Sequence, residues 1–243
     1  MLFISVLCCI LIVIISNCDE CQDLHIHISL TSYCYPFNNG RMIPVELLLK
    51  RGAAYRKVAA GDVIFNEGAV AAYYYQLTEG RVRWCTVNAD GREILHKVID
   101  PGESFGEFPL FDDKPYAASA IADSPCTMLR LCKSTFHGLL KEFPEIHFAF
   151  TQSLVSDLRF KFMLTSILSS NSPENVVSNL IHYFNDRGKL ICQECNRLLL
   201  TRQQLANMTG LRVETVIRAI KQMEREDRLS IVKGKVFIPA DGM

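Results

Sequence analysis

Apolar residues fill the N-terminus without a break, then alternate with polar ones, then recur at helical spacing. Leu2–Ile15 is an unbroken apolar and small-residue run. From Tyr55 to about Leu131, short β-prone runs recur at Val63–Phe65, Tyr73–Leu77, Val82–Val87, Glu93–Val98, Ala117–Ile121 and Thr127–Leu131. Turn formers separate them, among them Ala60-Gly61-Asp62, Glu79-Gly80, Ala89-Asp90-Gly91 and Asp100-Pro101-Gly102. Many short strands at this spacing predict an antiparallel barrel or jelly roll, and Asp90-Gly91 between apolar runs is a hairpin signal.

The period then lengthens. Phe136–Phe143 reads as a short helix stopped at Pro144, and 145 to about 169 as one long helix. Phe148, Val155 and Phe162 repeat every seven residues, with Thr151, Leu158 and Thr165 at the second position of the same heptad. That repeat predicts a dimer seam, although a helix packed on its own domain satisfies it nearly as well. Ser169-Ser170-Asn171-Ser172-Pro173 breaks the pattern and marks a boundary.

Beyond it, Glu174–Asn185 reads as a helix and Leu198–Leu200 as a short strand. Thr201 is a good N-cap for a helix over Arg202–Met208. Thr209-Gly210-Leu211 is a tight turn, and Val213 to about Glu226 is a second helix. Two helices joined by a short glycine-containing turn make a helix-turn-helix. Leu229–Val232 and Val236–Ile238, joined by Lys233-Gly234-Lys235, add a hairpin with a basic tip, a wing.

On the second helix Glu214 and Arg218 stand at i, i+4 and share a face. In a major groove, arginine can donate two bonds to guanine O6 and N7, and glutamate can accept from cytosine N4. A surface ion pair is the plain alternative. The position of the pair on the recognition helix, beside Arg212 and Thr215, favours base reading by Glu214, Arg218 and Arg212. Thr201, Arg202, Gln203, Thr215, Lys233 and Lys235 suit phosphates.

Charge changes this picture only when it is divided. The net charge is zero, with 26 basic and 26 acidic residues. Residues 1–41 hold one basic against three acidic side chains, 42–165 hold 14 against 15, and 166–243 hold 11 against 8. The basic part is therefore the helix-turn-helix part, so overall neutrality does not argue against nucleic acid. With 49% hydrophobic residues, 13 Gly and 9 Pro, wholesale disorder and collagen-like architectures are excluded.

Five of the ten cysteines, Cys8, Cys9, Cys18, Cys21 and Cys34, lie in residues 1–41 with His25 and His27. The apolar run there is shorter than the roughly 20 residues of a spanning helix. A short anchor or export signal and a metal or redox cluster are each open. The favoured reading is an extraneous leader, with the working start near Met42, and no membrane partner. Cys192-Gln193-Glu194-Cys195 is a C-x-x-C with no second pair nearby. Redox or zinc use is open, and cysteines placed without such a role in a hairpin are favoured. No nucleophile–base or metal-ligand constellation from Met42 onward points to an enzyme.

In Pro101–Phe111 (PGESFGEFPLF), Gly102 and Gly106 permit tight turns, and Glu107 with Phe108 opens a helical turn where free N–H groups can face an anion. A glycine corner of the roll is the plain alternative. With GDVIFNEG (61–68), GESFGEFPLF (102–111) and TRQQLANMTGLRVETVIRAIKQME (201–224) in this order, residues 42–243 resemble the Crp/Fnr family of transcription regulators.

The resemblance implies an α+β chain. Its parts are a double-stranded β-helix of cyclic-nucleotide-binding type over 42–144, a dimerisation helix over 145–170 and a winged helix-turn-helix over 171–243. It implies a cytoplasmic homodimer whose partners are double-stranded DNA and RNA polymerase, with Phe148, Val155, Leu158 and Phe162 in the seam.

It also implies that Glu214 and Arg218 read a G·C pair in each half of a palindrome. Val213 stands as in the oxygen-sensing branch, and Ile217 replaces the serine that this branch uses for an outer base. The effector pocket would involve Gly106, Glu107, Phe108, Ala117 and Ala118. Ala117 and Ala118 stand where cAMP-binding members place the Arg-Ser pair that grips the cyclic phosphate, so cAMP is not expected to bind tightly and no cofactor is assigned. The oxygen-sensing branch holds an iron–sulfur cluster on N-terminal cysteines and one roll cysteine, but Cys18, Cys21, Cys34 and Cys126 do not fit that spacing. A regulatory module that acts on a partner protein without touching DNA is the alternative function.

Overall fold

The computed structural model of the chain describes residues 43–169 and 172–239. The readings for residues 1–41 lie outside the described residues.

Helix α1 (Val45–Lys50) leads into eight strands: β1 (Ala54–Val58), β2 (Val63–Phe65), β3 (Tyr73–Glu79), β4 (Val82–Val87), β5 (Glu93–Ile99), β6 (Ser104–Phe105), β7 (Ser119–Ala122) and β8 (Cys126–Cys132). Helix α2 (Phe108–Asp112) lies between β6 and β7. The strands form two antiparallel sheets, ordered β1-β8-β3-β6 and β2-β7-β4-β5. Apart from the β4–β5 hairpin, consecutive strands alternate between the sheets, the jelly-roll arrangement that the short runs predict.

Strand β3 departs from simple alternation, since Tyr74, Tyr75, Gln76 and Leu77 are all buried. It lies inside its sheet, and its outer face is covered by α1 and by α3 (Lys133–Glu142). The buried Gln76 amide is satisfied there: Ile43 N–H donates to its Oε1 at 3.1 Å, and its Nε2 donates to the Ile43 carbonyl at 2.9 Å. The Tyr74 ring stacks on Phe136 of α3 at 4.6 Å between centroids.

The β3–β4 turn needs a glycine. Gly80 has φ +88°, and a Cβ there would lie 2.3 Å from the Pro125 carbonyl oxygen. Gly80→Ala is expected to destabilise the roll by about 1–3 kcal/mol from backbone strain alone, with the clash in addition. Chemical denaturation of the variant checks this, and an unchanged midpoint would refute it.

Pro144 sits in the first turn of α4 (Pro144–Leu168), where a missing N–H costs nothing. The preceding Phe143 is non-helical and separates α3 from α4. At 25 residues, α4 is about 37 Å long. Its buried residues Ile146, Ala149 and Phe150 lie near its start, with Ile146 and Phe150 in the roll core, and Leu164 joins a second core near its end.

That second core holds α5 (Pro173–Asp186), α6 (Arg202–Thr209), α7 (Val213–Arg225) and the hairpin β9 (Ser230–Val232)–β10 (Lys235–Phe237). Leu95 and Val98 of β5 belong to it as well. The sequence-predicted strand at Leu198–Leu200 is shorter and shifted. Only Arg197 and Leu198 make bridges, to Phe237 and Ile191, before the chain turns toward the Thr201 cap.

Candidate DNA-reading face and effector cavity

Helix α6 begins with a capping box. Thr201 Oγ1 accepts from Gln204 N–H at 3.1 Å, and Gln204 Oε1 accepts from Thr201 N–H at 2.9 Å. Gly210 ends the helix with φ +70°, a left-handed cap that turns the chain into α7. Leu205, Ala206, Val216 and Ile220 are buried between the helices. With that stripe inward, Glu214 and Arg218 are exposed on the opposite face, and Thr215 is half-buried beside them. Arg218 Nη2 donates to Thr215 Oγ1 at 3.4 Å.

Arg212 is the N-cap residue of α7 and is exposed, while Val213 packs partly into the core. Gln203 is exposed and donates to Asn207 Oδ1 at 2.8 Å. Arg202 donates to the Gly234 carbonyl and so ties α6 to the wing tip, where Lys233 and Lys235 are exposed. Thr201, Arg202 and Lys235 line one recess of about 250 Å³, shared with Arg81 and Arg197. Such a grouping of cations beside a helix start suits phosphate.

Polar side chains fasten this unit to the roll. Arg83 of β4 pairs with Glu93 at 3.0 Å and with Asp123 at 2.5 Å. The free oxygens of those carboxylates accept from α6: Gln204 Nε2 donates to Asp123 Oδ2 and Asn207 Nδ2 donates to Glu93 Oε1, both at 2.9 Å. Lys189 Nζ donates to Glu103 Oε1 at 2.8 Å. Burial works against the Glu103 charge, but Lys189 and Lys97 outweigh it and hold the carboxyl below its ordinary pKa.

Between the roll and α4 lies a cavity of about 530 Å³. Its apolar walls are Trp84, Phe108, Phe111, Leu154, Leu158 and Phe160. Ala117 and Ala118 also line it, and Trp84 Nε1 donates to the Ala118 carbonyl at 3.2 Å.

Two lysines reach the cavity. Lys97 Nζ pairs with Asp157 of α4 at 2.6 Å, and Lys161 Nζ donates to the His96 carbonyl at 3.0 Å. Burial, reinforced by the Lys97 charge and opposed by Asp157, holds the Lys161 pKa below the ordinary lysine value.

Of the pocket residues inferred from sequence, Phe108, Ala117 and Ala118 therefore line one cavity. Gly106 and Glu107 are buried, and burial raises the Glu107 pKa. Gly106 has φ +76°, and a Cβ on it would meet the Phe65 ring at 2.8 Å. Sequence reasoning missed Trp84, Lys97 and Asp157. Lys97 and Asp157 are 60 positions apart, and no local spacing signals such a pair.

The seam residues are displayed on α4. Phe148 is 65% exposed, Val155 46%, Leu158 56% and Phe162 71%. Cys126 is buried, and its thiol donates to the Arg81 and Ser124 carbonyls. Among the described residues, no helix is long and apolar enough to cross a membrane.

Comparison with known proteins agrees with this architecture. Residues 55–143 match the cyclic nucleotide-binding domain family, and residues 176–240 match the Crp-like helix-turn-helix domain family. The cyclic AMP receptor protein of Thermus thermophilus is 27% identical over 179 residues, covering 73% of this chain and 80% of that protein. The nitrogen fixation regulation protein FixK of Azorhizobium caulinodans is 27% identical over 186 residues, covering 75% and 74%. The structure of FixK2 from Bradyrhizobium japonicum shares the fold, with a TM-score of 0.64 at 20% identity over 76% of this chain and 92% of that one. A roll of cyclic-nucleotide-binding type, followed by a Crp-like helix-turn-helix with its reading face open, places the chain in the Crp/Fnr family of DNA-binding transcription regulators.

Proposed function

We propose that two copies of this chain pair along α4 and set two α7 helices into successive major grooves of a palindromic operator. The observation that carries this reading is the exposed face of α7, where Glu214 and Arg218 stand free of the core that holds Val216 and Ile220. Glu214 accepts from cytosine N4 and Arg218 donates to guanine O6 and N7, so each half-site contains a G·C pair. Arg212 adds a base contact. Thr201, Arg202, Gln203, Thr215, Lys233 and Lys235 hold phosphates and set the register. The apolar stripe of Phe148, Val155, Leu158 and Phe162 supports pairing of α4 with a second copy, because each of these side chains is exposed in the single chain. The protein acts in the cytoplasm with RNA polymerase as its further partner, and it is not an enzyme. A module that acts on a partner protein instead of DNA is disfavoured by the match of residues 176–240 to the Crp-like helix-turn-helix.

The cavity beneath α4 is the effector site in this reading, and it does not suit cAMP. A cyclic phosphate needs a charge-assisted, preferably bidentate donor. Ala117 and Ala118 offer none, the Lys97 amine is already paired with Asp157, and the Lys161 amine is held by the His96 carbonyl. The test is selection of sites from random duplex DNA by the full chain, followed by titration with and without cAMP. A palindrome with a G·C pair in each half and half-sites centred about 10 bp apart is expected. Micromolar cAMP is expected to leave the affinity unchanged. Non-palindromic sites, or a cAMP-dependent gain in affinity, would each overturn the corresponding part.

A further inference from the structure

Cys192 and Cys195 stand in the turn that joins Ile191 to Leu198, two residues bridged to one another. Cys192 N–H donates to the Arg197 carbonyl and Asn196 N–H donates to the Cys192 carbonyl, both at 2.8 Å. Asn196 takes φ +55°, and the Gln193 amide reaches back to the Gly188 carbonyl at 3.2 Å. The turn is thus held from both sides, and it brings the two thiols together. The Cys195 thiol and the N–H groups of Glu194 and Cys195 are near enough to Cys192 to favour its thiolate. These contacts outweigh the nearby Glu194 carboxylate and hold the Cys192 pKa below that of an ordinary thiol. Cys195 is exposed and Cys192 half-buried.

The other described cysteines differ. Cys85 and Cys126 are buried, and burial pushes the Cys85 thiol up to about 11. Cys132 is exposed and the Ser134 hydroxyl holds its pKa below the ordinary thiol value too, but that partner cannot form a disulfide. A reactive thiolate with a second thiol in reach is the arrangement that turns over between dithiol and disulfide. Two thiols alone fall short of the four ligands of a structural zinc site.

We propose that Cys192 and Cys195 form a redox-active dithiol, with Cys192 attacking an oxidant of the peroxide class and Cys195 closing the disulfide. The Cys192 thiolate attacks one peroxide oxygen and breaks the O–O bond. This leaves a sulfenic acid on Cys192, and the departing alkoxide or hydroxide takes up a proton. The Cys195 thiolate then attacks the Cys192 sulfur. The S–S bond forms, the S–O bond breaks, and the hydroxide leaves as water with the proton that Cys195 gave up. The two thiols lose two protons and two electrons, and the peroxide is reduced to one alcohol and one water, or to two waters when it is hydrogen peroxide. A small dithiol returns the pair to its reduced form by exchange and is itself oxidised to a disulfide.

The site lies at the base of the wing. Leu198 N–H donates to the Val236 carbonyl and Ile238 N–H to the Asn196 carbonyl, so the turn is bonded directly to β10, which begins at Lys235, and to the residue that follows it.

The test treats the reduced full chain with equimolar hydrogen peroxide, blocks remaining thiols with iodoacetamide and digests with trypsin without reduction. Lys189 and Arg197 frame a single peptide, 190–197, that holds both cysteines. The expected result is loss of two hydrogens from that peptide, with no alkyl group on it, before Cys132 reacts, and recovery with dithiothreitol. Cys195→Ser should instead trap the Cys192 sulfenic acid as a dimedone adduct. Two alkylated cysteines in the 190–197 peptide, earlier oxidation of Cys132, or a disulfide from Cys192 or Cys195 to a cysteine elsewhere in the chain would overturn the proposal.

Discussion

Replacing Glu214 and Arg218 together by alanine is expected to reduce operator binding to the level of random DNA. Each good base contact discriminates by about 1–3 kcal/mol. Two contacts in each of two half-sites add to roughly 4–12 kcal/mol if they act independently. The whole gap between specific and non-specific binding is about 4–10 kcal/mol. The loss therefore spans that gap, and operator affinity should fall by a factor of about 10³ or more. Affinity for random duplex should change little, because Lys233, Lys235 and the Thr201–Gln203 segment remain. Both side chains are exposed and lie outside the core, so the variant should melt with the wild type. Fluorescence anisotropy with operator and scrambled duplexes at one salt concentration measures both numbers. If the variant still prefers the operator by more than tenfold, α7 does not read bases through this pair.

The second large effect is expected at the seam of α4. Val155→Asp with Phe162→Asp places two carboxylates from each copy, four in all, in the two-fold interface. A buried polar group left without a partner costs about 1–3 kcal/mol, and more when charged. Four such groups oppose pairing by at least roughly 4–12 kcal/mol, which weakens the dimer by about 10³-fold or more. Light scattering should then report a monomer at micromolar concentration. Operator binding should fall with it, since a single half-site retains half of the contacts. Both positions are exposed in the single chain, at 46% and 71%, so the roll should keep its own melting transition. A variant that stays dimeric would show that the exposed heptad positions are not the seam. Leu158 is left out of this variant because it also lines the cavity.

The two sites were not equally legible in the sequence. The helix-turn-helix was readable almost residue by residue. Thr201, the Gly210 turn and the apolar positions Leu205, Ala206, Val216 and Ile220 form a local signal, and the structure caps, turns and buries them as their chemistry demands. Exposure of Glu214 and Arg218 follows from that burial, because fixing one helix face fixes the other. The strands of the roll were readable for a related reason. Turn residues and apolar runs mark where an extended segment begins and ends, and every predicted roll run overlaps an observed strand. Missed elements such as α1 and β1 are short and lack periodicity, and their places are decided by what they cover.

The cavity was different. Ala117 and Ala118 could be named only through a resemblance, and nothing local marked Trp84, Lys97 or Asp157 as their neighbours. The clasp of Arg83, Glu93 and Asp123 on Gln204 and Asn207 joins β4, β5 and the loop after β7 to α6 across as many as 114 positions. The Cys192–Cys195 pair was visible as a spacing, but its meaning depended on the turn that brings one thiol against the other. Periodicity and caps depend on neighbours within a few residues, so the amino-acid order alone defines the periodic elements, their buried faces and the exposed face of α7 that carries Glu214 and Arg218. Which buried face meets which, and which charges share one recess, depends on contacts between segments far apart in the chain. Only the folded chain brings Lys97 to Asp157, Lys189 to Glu103 and the apolar walls of the cavity together.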